Sequence, residues 1–179
     1  MAKVKGLKKL NKKISKELAP FGIEKAFCSN DYSYIFTSKQ VTFKLTEGTC
    51  EDKWFTEFVK ERFNYDVRYP FIISLLHEVG HSKTDEQIQD ELYNFCLKEK
   101  ERIDKEMESV QTIEEAKKLE WQYFNLPDEI VATAWAINYA KTHPKKVKKM
   151  WRKSQKALLK FYNKNNIEDL VDWPLLAGM

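Results

Sequence analysis

Residues 70–81 read Pro-Phe-Ile-Ile-Ser-Leu-Leu-His-Glu-Val-Gly-His, and this run leaves the chain few ways to fold. Pro70 suits the first turn of a helix. Phe71, Ile72, Ile73, Leu75, Leu76 and Val79 then occupy nearly every side of it. A helix without a polar face belongs in a core. His77, Glu78 and His81 are therefore expected inside, where an unpaired polar group costs roughly 2–7 kcal/mol. Positions i and i+4 lie one turn apart on the same face. His77 and His81 can thus aim two imidazoles at one point, with the Glu78 carboxylate beside it. This spacing holds a zinc ion and poises a base next to its bound water. A metal would remove the objection to burying these groups.

Two histidines are not enough, since zinc sites use at least three protein ligands. Position 87, where one metalloprotease class carries a third His, is Gln. Glu129 is the expected third ligand. It stands in the first turn of a helix opened by Pro127, and Ala132 and Ala136 lie on its face, small enough to admit the His77 helix closely. The competing view makes Glu129 a surface charge that complements the helix dipole. Asp85 and His143 are the rival ligands. His143 is about 21 Å further along a straight helix, beside Pro144, and reads as an end-of-helix residue. Asp128 is expected to point about 100° away from Glu129, and Glu120 is expected to face solvent.

The rest of the sequence predicts an α+β chain, predominantly helical, in one domain spanning 1–179. Five Gly and five Pro among 179 residues argue for short connections. A first amphipathic helix covers Val4–Leu18. Tyr32–Thr37 and Val41–Leu45 read as a hairpin, joined by Ile23–Cys28 as a further strand. Thr49 can cap the next helix, whose apolar face holds Trp54, Phe55, Phe58, Val59 and Phe63. Two helices with capping-box starts follow, Thr84 with Gln87 and Thr112 with Glu115, giving a helical hairpin over 82–126. Further helices open at Pro127 and Pro144, and a tail at Ile167–Leu176 is apolar enough to pack back. Cys28, Cys50 and Cys96 are read as reduced, buried thiols.

The net charge is +4. Lysines crowd into Lys3–Lys16 and Lys141–Lys160, and each run is read as a solvated helix face. Nucleic acid is not an expected partner. Neither a membrane span nor a signal-peptide core is evident, so a cytoplasmic location is expected.

His77-Glu-Val-Gly-His81 followed by Glu129-x-x-Ala132-x-x-Trp135-Ala136 resembles the gluzincin-type zincin metallopeptidases. The likeness is greatest to the small phage and mobile-element proteins of the ImmA/IrrE type, in which Phe is usual where this chain has Trp135. The resemblance covers Pro70–Ala136 and rests on two short motifs. It implies a minimal zincin-like fold, with a small hairpin or sheet packed on an active-site helix. One zinc ion would be held by His77, His81 and Glu129. Glu78 would be the general base in attack of zinc-bound water on a peptide bond of a specific cytosolic protein, in the host cytoplasm for a phage-encoded chain. Tyr93, Tyr123, Tyr139 and His143 are candidate oxyanion donors. The segment between the motifs is longer than in the smallest members, and no helix-turn-helix module accompanies it. Two alternatives are a non-catalytic zincin-fold interaction protein and a nucleic-acid-binding protein using the lysine-rich helices.

Overall fold

The computed structural model describes residues 6–29, 32–45, 50–84 and 88–165. It is an α+β structure, mostly helical, with one small sheet. Helix α1 (Leu7–Leu18) buries Leu10, Ile14 and Leu18, the stripe its periodicity predicts. It starts at Gly6, whose φ of 91° glycine adopts without strain.

Strands β1 (Lys25–Cys28), β2 (Ser33–Ile35) and β3 (Gln40–Phe43) form a sheet of order β1-β3-β2. β2 and β3 are the expected hairpin, antiparallel with Ser33 opposite Thr42. A short 3₁₀ turn at Phe36–Ser38 and Lys39 at φ 47° join them. β1 runs parallel to β3, with Lys25 opposite Gln40. β2 is therefore an edge strand.

Helix α2 (Cys50–Phe63) buries Phe55, Phe58 and Val59 as anticipated. Its expected cap, Thr49, lies outside the described residues, as do Asp85, Gln87 and the Ile167–Leu176 tail. Helix α3 (Pro70–Thr84) is buried along most of its length and forms the centre of the core. Its most extensive helix contact is with α6 (Pro127–Thr142). Helix α7 (Pro144–Asn165) closes the fold, packing on α1, α3 and α6.

Between α3 and α6 come α4 (Asp90–Met107) and α5 (Ile113–Phe124), whose Ile103 and Leu119 form a small cluster with Leu126, the residue before α6. α5 has the capping box expected of Thr112 and Glu115. The start of α4 differs from expectation. Thr84 is the last residue of α3, and its hydroxyl donates back to the Gly80 carbonyl at 2.9 Å, a bond that serves its own helix and not the next. α4 begins only at Asp90, with Leu92 and Phe95 exposed. Cys96, Lys100 and Ile103, further along the helix, meet α5 and α6. Cys96 is buried, whereas Cys28 at the end of β1 is half-buried rather than enclosed. Among the described residues, no helix is long and apolar enough to cross a membrane.

Candidate metal centre

His77, Glu78 and His81 leave the same side of α3, and all three are buried. Glu129 meets them from the first turn of α6, where Pro127 supplies the helical φ and loses no needed N–H. The two helices touch main chain to main chain. A Cβ added to Gly80 would stand 2.9 Å from Ala132 Cα. This approach lets side chains on separate helices share one point.

His77 Nε2 lies 2.9 Å from Glu129 Oε2 and 3.3 Å from His81 Nε2. His81 Nε2 lies 3.5 Å from Glu129 Oε1. One donor atom from each of the three residues falls within 4.8 Å of the others, so the group could hold a metal ion. Two ligands of a tetrahedral zinc with bonds near 2.0–2.1 Å stand about 3.3 Å apart. The observed separations of 2.9, 3.3 and 3.5 Å bracket that value. The donor set, two imidazoles and a carboxylate, suits the same ion.

The surroundings orient these groups. Thr133, one turn beyond Glu129 on the same face of α6, places its hydroxyl 2.9 Å from His77 Nδ1. With Nδ1–H donated to that oxygen, Nε2 keeps its lone pair for the shared point. The Phe55 ring meets the His77 ring edge-on at 5.4 Å and limits its swing. Thr133→Val is therefore expected to weaken zinc binding about 10–100-fold. Competition against a chromophoric chelator measures this, and undiminished affinity would mean the hydroxyl does not hold the ring.

Burial by itself would push the Glu129 carboxyl up. The imidazoles facing it, His81 foremost, more than offset this and hold it well below the usual carboxylate range. Glu129 is therefore an anion at neutral pH.

Lys100 from α4 reaches the same place. Its ammonium lies 2.5 Å from both Asp128 Oδ2 and Glu129 Oε1. Burial would lower its pKa, but the Glu129 charge leads a set of attractions that raise it instead, so Lys100 stays a cation. Lys100 also stands 5.1 Å over the Tyr123 ring. The Tyr123 phenol is pushed up, first by burial and then by the Glu129 charge, and stays protonated.

A cleft of about 420 Å³ opens over the cluster, bounded by β2, α2, α4 and α5. Tyr34, Phe55, Tyr93, Leu97, Tyr123 and Phe124 give it an aromatic and apolar wall, and Lys44, Asp104 and Glu120 add charge.

Four sequence-predicted residues, His77, Glu78, His81 and Glu129, come together here. Two expectations change. Asp128 does not turn away: Lys100 binds both acids, so the second carboxylate stays buried next to the first. Glu120 is half-buried in the cleft wall rather than facing solvent, because α5 folds across the opening. His143 caps the far end of α6, stacked on Tyr139 at 4.4 Å. Tyr139 also packs on Phe21 and Trp135, so of the candidate donors only Tyr93 and Tyr123 line the cleft. Thr133 and Lys100 were not anticipated. The i, i+4 spacing of Glu129 and Thr133 was a usable signal. Nothing in the sequence marks Lys100 among its many neighbours of like charge.

Comparison with protein-family models, with curated proteins and with solved structures gives no match.

Proposed function

We propose that this chain is a zinc-dependent metallopeptidase acting on a protein or peptide substrate. The observation that carries this reading is the convergence of His77, His81 and Glu129 within 4.8 Å, at the floor of a cleft that Glu78 also lines. His77, His81 and Glu129 would hold the ion. Bound there, zinc would polarise a substrate carbonyl and lower the pKa of a water.

The remaining work falls to the chain. Glu78 Oε1 lies 4.0 Å from His77 Nε2, beside the ligands. From there Glu78 takes a proton from the attacking water and returns it to the departing amine. A purely structural metal site has no use for such a base, which favours catalysis over the interaction-protein alternative. Tyr123, protonated and in the cleft wall, would donate to the carbonyl oxygen as charge develops on it. Lys100 holds Oε1 of Glu129, fixing the carboxylate plane. β2 is an edge strand whose Ser33 and Tyr34 line the cleft, so an extended substrate can add to it by main-chain hydrogen bonds. The aromatic wall suits large apolar side chains next to the scissile bond.

Elemental analysis of the purified full chain is expected to find one zinc per molecule. Glu129→Ala is expected to lose it or to bind it at least tenfold more weakly. Stoichiometric zinc retained by Glu129→Ala would shift the third ligand elsewhere. A wild-type protein that takes up no zinc would end the proposal.

A further inference from the structure

The two lysine runs, far apart in the sequence, become neighbours in the fold. α1 packs along α7 in the antiparallel sense: Gly6 approaches Phe161 and Lys164, while Glu17 pairs with Lys153 at 2.7 Å. α1 carries five lysines and one acid, and α7 carries eight lysines and Arg152 with no acid over 22 residues. All nine cations of α7 are exposed. The whole chain is only +4, so the rest of the molecule is net acidic. Read singly along the chain, each run is a solvated face. Packed together, they segregate charge onto one pair of helices.

Lys146, Lys149, Lys153, Lys156, Lys160 and Lys164 fall within about 80° of arc on α7, on the flank that meets α1. They form a stripe about 27 Å long. Like charges at i, i+4 destabilise a helix. Lys145 and Lys146 also sit at the positive end of the helix dipole, in a first turn without acids. These costs fall away when an extended polyanion lies along the stripe. The apolar residues of both helices, among them Leu10, Ile14, Trp151, Leu158 and Phe161, are buried in the body. They are not available to insert into a lipid surface.

We infer that the joined faces of α1 and α7 bind the phosphate backbone of nucleic acid. Binding is by charge along the backbone, without base readout, because lysine is a flexible point charge. No residue lining the cleft comes from α1 or α7, so this surface is separate from the proposed metal centre.

Fluorescence anisotropy tests the inference on the full chain, with a labelled duplex DNA and, separately, a single strand of equal length. With Lys153 already paired to Glu17, the other five lysines of the stripe give a log–log salt slope of about −4.5 on duplex and about −3.5 on single strand. Between about 50 and about 200 mM salt, duplex affinity should fall roughly five-hundredfold. The triple variant Lys149→Glu, Lys156→Glu, Lys160→Glu is expected to keep its melting temperature and to flatten the slope by about 3. The same three positions changed to Ala should flatten it equally, and this covers failure of the charge-reversed chain to fold. Three results would overturn the inference: no binding of either oligonucleotide at the lower salt, an unchanged slope in both variants, or tighter binding to phosphatidylserine vesicles than to either nucleic acid. None of these bears on whether the chain holds zinc.

Discussion

Glu78→Gln is expected to abolish peptide cleavage while leaving zinc in place. The substitution keeps the shape of a side chain that is 6% exposed, so packing barely changes. It removes the only capability that matters in the proposed role, because an amide cannot accept the proton of the attacking water. General acid–base catalysis contributes about 10²–10⁴ in rate, and turnover should fall by that factor. The ligands His77, His81 and Glu129 are untouched, so zinc content should equal that of the parent. Both quantities can be read on one preparation, by mass spectrometry of a digested peptide library and by elemental analysis. Full turnover in the variant would remove Glu78 from the chemistry. A zinc-loaded parent that cuts nothing, against the library or a proteome, would favour the interaction-protein reading.

Gly80→Ala is expected to loosen the fold and the centre together. The added methyl would stand 2.9 Å from Ala132 Cα, and its neighbour is main chain, which cannot rotate out of the way. The helices must move apart. Overpacking of this kind costs about 1–3 kcal/mol or more, opposed by about 1 kcal/mol gained from the better helix former. For a chain of this size a net loss of about 2 kcal/mol lowers the melting temperature by about 4–8 °C. The helices being separated carry His77 and His81 on one side and Glu129 on the other, so zinc affinity should drop at least tenfold as well. Thermal melts with and without zinc measure both effects. A variant as stable as the parent, with equal zinc affinity, would mean that α3 and α6 do not depend on contact at Gly80.

Much of this arrangement was legible in the residues. A helix that is apolar on nearly every side belongs at the centre, and α3 is central. Glu129 was legible because two imidazoles lacked a partner and a nearby helix offered an acid on a small-residue face. Gly80 sits inside the motif itself, but its role depends on how close α6 comes, which local pattern does not encode. The start of α4 misled because a threonine followed by glutamine looks the same whether its hydroxyl caps the next helix or bonds back into its own. Asp128 misled for a related reason. Angular position on α6 places it away from Glu129, yet an ammonium from a third helix keeps both acids inside. Tertiary charge pairing of this sort leaves no periodic trace, and Lys100 is one lysine among many. The adjacency of α1 and α7 was equally hidden, since charge runs give composition but not which surfaces meet.

The Lys100 ammonium has a mechanical consequence. It ties the inner part of α4 to the two acids that open α6, and moving it would leave the buried Asp128 carboxylate without its cation. The outer end of the same helix, from Asp90 to Phe95, is exposed. One side of the cleft is thus a beam clamped at its root by Lys100, with a tip that stands in solvent and reaches the opening through Tyr93.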